Sequence, residues 1–485
     1  MSDNLKNKTL NALFWSAAER IGLQAIQFIV SIILARLLLP EEFGLIAMLV
    51  IFIAIADAFI NSGFGQALIQ KKEATHIDEC SIFYFNVIVG FFVAGLMSLA
   101  APWIANFYNQ SQLILIIYAL SFNLIFSSLG LIQVTLLSKH LNFKVQQKVS
   151  FISAISSGTI GVTMALNGFG VWSLVIMQLS NTMFRTSLFW LFSTWRPSWV
   201  FSLDALRSMF GFGSRIFLVG LSNALFVNIY SLVIAKLFSP MALGFYTRAE
   251  SLQRLPVLTI AGVINQVTFP MFSSIQDDKP RVKRALSKAL NMTNLIVFPM
   301  MVGLAIVAKS FILVLLTEKW LPSVPYLQLF CVIGMLYPIQ AINLSVLNAQ
   351  GRSDLFLRVQ IFLYVLITIN IFITYSWGII AMIYGQIVVS SLGCYLCTYY
   401  TQKLLDYSII EQIIGLIPSL ALSGLMGIGV YTLQYASITD ELVLLIAQII
   451  TGIVIYIGLC YVFRISSFIE IIKLIKSRGK RNAFV

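Results

Sequence analysis

The chain has 485 residues, of which 59% are hydrophobic and only 11% charged, with a mean hydropathy of +0.90. A soluble domain carries about 25% charged residues, so water cannot be the solvent for most of this surface, and a string of soluble domains is excluded. The 32 Lys and Arg outnumber the 19 Asp and Glu to leave a net charge of +13. In a soluble protein that excess would point to nucleic acid; in a membrane protein it points first to cytoplasmic loops.

A helix crossing the hydrocarbon core needs about 20 mostly apolar residues, and fourteen stretches qualify. The first six are Leu10–Leu38, Phe43–Ile69, Ser81–Ala101, Leu113–Leu136, Val149–Leu166 and Val171–Phe192. A second six follow: Phe210–Leu237, Ala242–Phe269, Asn291–Ala308, Tyr326–Leu347, Leu355–Ser376 and Gly378–Thr401. The last two are Gln412–Tyr435 and Leu442–Phe463. Connections are short and marked by Pro, Gly, Asn or charge, as in Leu39-Pro40-Glu41-Glu42 and Asn167-Gly168. An outer-membrane barrel would instead show alternating segments of about ten residues. The expected fold class is therefore all-α, a polytopic membrane protein of about fourteen transmembrane helices. The first span is too long for a signal-peptide core, and no small-residue cleavage site follows it, so it is expected to be retained.

Orientation follows from the basic residues. With the N-terminus in the cytoplasm, most of the 32 fall on cytoplasmic segments, and only Arg36, Lys236, Lys309 and Lys319 face the other side. Both termini are then cytoplasmic.

The run Ile33-Leu34-Ala35-Arg36-Leu37-Leu38-Leu39-Pro40-Glu41-Glu42-Phe43-Gly44 returns 200 residues later as Val233-Ile234-Ala235-Lys236-Leu237-Phe238-Ser239-Pro240-Met241-Ala242-Leu243-Gly244. Ala, Leu, Pro and Gly recur in place, and a basic residue is kept. Each copy ends an odd-numbered span and turns through Pro-x-x-x-Gly. Six spans per copy give parallel halves, an arrangement found in transporters whose halves rock around a midplane site. The expected organisation is an N-terminal six-helix half (1–195), a cytoplasmic linker (196–209) and a C-terminal half (210–403). Two further helices (404–465) and a basic cytoplasmic tail (466–485) complete it.

Ionisable groups at membrane depth cost at least about 2.5–3.5 kcal/mol and are functional candidates by default. The spans hold Glu19, Arg20, Asp57, Asn61, Arg185, Arg215, Asn223, Asn228, Arg248, Glu250 and Arg254. Most sit in spans one, two, seven and eight, the corresponding hairpins of the two copies. Arginine is in excess over carboxylate, and a cationic cavity suits an anionic headgroup, above all a phosphate gripped by forked guanidinium donors. Asp57 and Asn61 share a helical face, and Glu250 can pair with Arg254 one turn on.

Other chemistries lack their residues. No G-x-x-x-x-G-K-[ST] phosphate loop occurs, and the Gly-Phe-Gly pairs at 63, 168 and 211 are isolated. His76 and His140 fall in loops with no Cys or His partner, so no metal or other cofactor is expected. No long extracytoplasmic loop is available to carry an enzymatic site. Transport, downhill or coupled to protons or sodium, is what remains.

The motif Ile33 to Gly44, with Gly63-Phe64-Gly65-Gln66-Ala67-Leu68-Ile69-Gln70 and Gly168-Phe169-Gly170-Val171-Trp172-Ser173-Leu174-Val175, resembles the Wzx-type polysaccharide flippases. The similarity is to the colanic acid and teichuronic acid exporter branch of the multidrug/oligosaccharidyl-lipid/polysaccharide exporter superfamily. The resemblance implies a V-shaped pair of six-helix halves, alternating access and export of undecaprenyl-pyrophosphate-linked oligosaccharide across the bacterial inner membrane, for O-antigen, capsule or exopolysaccharide. A polysaccharide polymerase and chain-length partners are implied beside membrane lipid, and nucleic acid is not. On this reading Arg20, Arg185, Arg215, Arg248 and Arg254 hold pyrophosphate. Glu19, Asp57 or Glu250 couples the ion, and Asn61, Asn223 and Asn228 add polarity to the cavity. Related sequences often carry Asp where this chain has Asn61, which leaves Asp57 as the acid of that span. The alternatives are a multidrug or peptidoglycan-lipid-precursor exporter of the same fold and, from another class, a membrane polymerase or glycosyltransferase.

Overall fold

The computed structural model describes residues 22–435 and 438–470. Within them the chain is α-helical with no strand. The first unit contains α1 (Gly22–Leu37), α2 (Pro40–Asn61), α3 (Phe64–Gln70), α4 (His76–Tyr108), α5 (Leu113–Lys139), α6 (Phe143–Leu166), α7 (Val171–Phe192) and α8 (Leu203–Leu237). Then follow α9 (Pro240–Ser274), α10 (Lys279–Leu316), α11 (Val324–Ala349), α12 (Ser353–Thr374), α13 (Ile379–Leu405), α14 (Ile409–Thr432) and α15 (Glu441–Val462). The chain splits into two compact units after Gly244, inside the first turn of α9.

Among the described residues each of the fourteen expected spans falls on a helix, the first only from Gly22 onward and the second divided into α2 and α3. Eleven of the helical segments are long and apolar enough to cross a membrane. The other three spans correspond to α1, of which the described part starts at Gly22, and to α7 and α9. Polarity explains the last two: α7 carries Gln178, Ser180, Asn181, Thr182 and Arg185, and α9 carries Arg248, Glu250 and Arg254. The protein is an all-α, multi-pass membrane protein.

Large apolar side chains lie open on the outward helix faces, for example Leu99, Trp103, Phe372 and Val454. With hydrocarbon as solvent such exposure carries no hydrophobic cost. What the helices bury is therefore decided by close packing and polar contacts. In the first unit Phe64, Leu68, Ile82, Phe83, Ile132 and Leu136 form one cluster that joins α3, α4 and α5. In the second, Leu286, Leu290, Ile342 and Val346 join α10 to α11.

The duplicated motif folds alike in both copies. α1 ends at Leu37 and α8 at Leu237; α2 starts at Pro40 and α9 at Pro240. Proline suits the first helical position because its missing N–H has no intrahelical partner there. The two turns also meet. A Cβ on Gly44 would collide with the Pro240 carbonyl, and one on Gly244 with the Pro40 carbonyl. Glycine is required here by backbone approach rather than by conformation.

The segment between α7 and α8 is docked on α4. Trp195 Nε1 donates to Glu79 Oε2 at 2.8 Å, Tyr84 Oη to the Ser198 carbonyl at 3.1 Å, and the Ser202 N–H to Ser81 Oγ at 2.9 Å. α8 then packs against α2, α3 and α4 within the first unit.

Candidate functional site

α2 stops where its sequence turns to Asn61-Ser62-Gly63. Ser62 and Gly63 both take left-handed backbone, with φ of 45° and 74°, and α3 restarts at Phe64. A Cβ at Gly63 would strike the Gly213 carbonyl of α8, so the break brings two backbones together. Irregular backbone at membrane depth persists where it is enclosed by protein or lines a polar cavity. Lys139 secures the short helix by donating to the Leu68 and Lys71 carbonyls, at 3.0 and 2.9 Å. Lys71 in turn pairs with buried Asp78 at 2.8 Å, whose carboxylate also accepts from the Thr75 N–H at the start of α4.

At this break lies a cavity of about 510 Å³ lined by α2, α3, α5 and α8. Its polar groups are Asp57, Asn61, Gln66, Thr135, Ser138, Asn223 and Asn228. Phe217, packed on Phe59 with ring centroids 5.0 Å apart, supplies part of an apolar wall. Asn61 Nδ2 donates to the Asp57 carbonyl at 2.7 Å and Asn228 Nδ2 to the Ala224 carbonyl at 2.8 Å. No Lys or Arg is among the described lining residues.

The structure therefore gathers four of the sequence-predicted residues, Asp57, Asn61, Asn223 and Asn228, into one site. Arg185 on α7 is exposed, with its guanidinium carbon 5.6 Å from the Phe189 ring centroid. Arg215 on α8 is also exposed and outside the lining. In the second unit Arg248 is buried, 5.8 Å from the Trp320 ring centroid. Glu250 and Arg254 form the expected pair at 3.0 Å. Glu19 and Arg20 lie outside the described residues.

Gln66, Thr135, Ser138 and Phe217 were not foreseen. Gln66 follows the Gly-Phe-Gly pair, and that pair, placed inside an apolar span, is the signal of a helix break. Thr135 and Ser138 carry no signal, because a hydroxyl in an apolar helix usually bonds its own backbone.

His76 needs correcting. It starts α4 rather than sitting in a loop without partners, and the helix brings Cys80 to its own face, Sγ 3.4 Å from Nε2. No group of three or more candidate metal ligands occurs among the described residues. All five cysteines are buried and free.

The polysaccharide biosynthesis protein family model matches residues 33–325. The teichuronic acid biosynthesis protein TuaB of Bacillus subtilis is 26% identical over 355 residues, 73% of each chain. The lipopolysaccharide biosynthesis protein WzxC of Escherichia coli is 28% identical over 365 residues, 74% of this chain and 73% of that one. The succinoglycan biosynthesis transport protein ExoT of Rhizobium meliloti is 28% identical over 341 residues, 69% of this chain and 68% of that one. Among solved structures, the lipid II flippase MurJ superposes with a TM-score of 0.78 at 15% identity, covering 92% of this chain and 98% of that one. An inward-facing multidrug resistance MATE transporter of the MOP superfamily gives 0.60 at 14% identity, covering 81% and 99%. These two likenesses establish the fold. With more than half of its length matched by the family model, the chain belongs to the polysaccharide biosynthesis protein family, as a Wzx-type polysaccharide flippase.

Proposed function

We propose that this flippase moves undecaprenyl-pyrophosphate-linked oligosaccharide repeat units from the cytoplasmic to the outer leaflet of the bacterial inner membrane, and that it does so as a transporter rather than an enzyme. The observation that carries the reading is a cavity of about 510 Å³ that holds an aspartate and four carboxamides among apolar membrane helices in a member of this family. A glycan headgroup needs such a polar enclosure, while its polyprenyl tail remains in lipid. The concentration of basic residues on alternate connections supports a cytoplasmic side for both termini.

The division of labour we propose has three parts. Arginines take the pyrophosphate, with Arg254 the leading candidate: its side chain is 44% exposed although paired with Glu250, so it can turn to a phosphate. Arg20, Arg185, Arg215 and Arg248 are the other candidates. The glycan enters the cavity beside Asn61, Asn223 and Asn228. A proton or sodium ion is taken up at Asp57, which lines the cavity and has no ion-pair partner among the described residues. Glu19 and Glu250 are the remaining candidates for that step. The two copies of the repeat, before and after the segment that joins α7 to α8, alternate access to the two sides.

The test is a deletion strain. Lipid-linked repeat units should accumulate in the cytoplasmic leaflet and return to the outer leaflet on complementation. Units that reach the periplasm but stay unpolymerised in the deletion strain would favour a polymerase. Complementation with Arg254→Ala should fail at normal membrane abundance, and full complementation would remove Arg254 from phosphate binding.

A further inference from the structure

The hydrogen-bond directions at the cavity narrow its ligand. Thr135 Oγ1 spends its single proton on the Leu131 carbonyl at 2.9 Å, and Ser138 Oγ spends its own on Val134 at 2.8 Å. Neither hydroxyl therefore has a proton left for a ligand, and Ser138 Oγ already accepts from Gln146 Nε2 at 2.9 Å. Asn61 and Asn228 each commit one amide proton to their own helix, which leaves each carboxamide oxygen as an acceptor. Asp57 adds a carboxylate, and no cation is among the described lining residues. The remaining donors are amide hydrogens, one each from Asn61 and Asn228 and two each from Gln66 and Asn223.

A phosphate or a uronic acid binds best where donors carry positive charge and would meet here the Asp57 carboxylate, with neutral amides as the donors and no cation among the described lining residues. A hydroxyl-bearing ring needs the opposite: acceptors for its O–H groups and an apolar wall for its C–H face, here Phe217, Ile216, Leu131 and Val134. Size points the same way. About 510 Å³ falls within the roughly 300–1,000 Å³ of small-molecule sites and far exceeds the share of one ion or water, about 30 Å³.

We infer that this cavity is a subsite for an uncharged, hydroxyl- or N-acetyl-bearing sugar of the glycan, and that it excludes acidic sugars and the pyrophosphate. The inference rests on the flippase reading for the source of that sugar. Sugar selection and phosphate binding are thereby assigned to different residues. A cavity of carboxamides, hydroxyls and one carboxylate reads hydroxyl positions, and the arginines read what all the lipid-linked substrates share.

The experiment uses the full chain in lipid nanodiscs and saturation-transfer NMR with three probes: N,N′-diacetylchitobiose, a disaccharide of glucuronate and N-acetylgalactosamine, and inorganic pyrophosphate. Diacetylchitobiose is expected to bind saturably and the glucuronate disaccharide at least about tenfold more weakly, with no competition from pyrophosphate. Replacing Asn61→Leu and Asn228→Leu together removes two acceptors, and affinity for the neutral probe should fall about tenfold or more. Should that variant not fold, Asn228→Asp adds a second carboxylate to the cavity, and the ratio of neutral to acidic probe affinity should rise further. Equal binding of both disaccharides, displacement by pyrophosphate, unchanged binding in the variants, or no binding at all would each overturn the subsite. The two readings fail separately. If leaflet transport persists while the neutral probe does not bind, the subsite falls and the flippase stands. If the probe binds as expected while the leaflet distribution ignores the protein, the flippase falls and the subsite stands.

Discussion

α2 and α9 begin alike and then diverge. At the offset of 200 residues, Met48, Val50 and Ala54 of α2 stand where α9 has Arg248, Glu250 and Arg254. Conversely, Asp57 and Asn61 of α2 correspond to Val257 and Ala261. Each helix thus carries charge where the other is apolar. Their energetics differ as well. Asp57 opens into a cavity with no ion-pair partner among the described residues, whereas Glu250 is held by Arg254 and Arg248 rests against an aromatic ring. The comparison teaches that two segments with the same backbone turns can carry different chemistry. One copy keeps an acid open to a cavity, and the other keeps its acid neutralised and its arginines in place.

The largest expected effect comes from erasing that difference. Ala54→Arg puts the cation of α9 into the cavity, three residues before Asp57 and on the same face. It should neutralise the carboxylate, fill part of the space and abolish transport at unchanged membrane abundance. Leaflet accessibility of the lipid-linked units is the measurement, and preserved transport would show that the open acid is irrelevant. A smaller effect follows from removing the ring on the other side of the comparison. Trp320 has 0% exposure, and Trp320→Ala should cost about 3–5 kcal/mol of stability, read as a lowered thermal midpoint of the detergent-solubilised protein. The smallest concerns the pair. Glu250→Gln keeps a carboxamide oxygen as acceptor for Arg254, so it should lower the midpoint by less than Trp320→Ala does. A much larger shift in midpoint would mean that α9 depends on this pair to insert.

The sequence discloses the helices because lipid enforces a single rule of about 20 apolar residues per crossing. Even the weakly apolar α7 and α9 obey it in length. It also discloses Asp57, Asn61, Asn223 and Asn228 as expensive residues in cheap surroundings. It does not disclose that these four share a cavity while Arg185, Arg215, Arg248 and Arg254 lie elsewhere. That depends on which helix faces meet, and apolar residues surround these helices on every side, so periodicity carries little information about facing. Ser62-Gly63 illustrates the intermediate case. The glycine is plain in the sequence, but its role as a helix break emerges only when Gly213 is seen against it.

The reciprocal contact of the two Pro-x-x-x-Gly turns is self-complementary, with Pro40 on Gly244 and Pro240 on Gly44. This is the isologous geometry by which two identical subunits meet across a two-fold axis, here fused into one polypeptide. An isologous contact gives each glycine a guardian in the other copy. Any side chain gained at one turn must be accommodated by a backbone shift at the other, so the pair can drift only together.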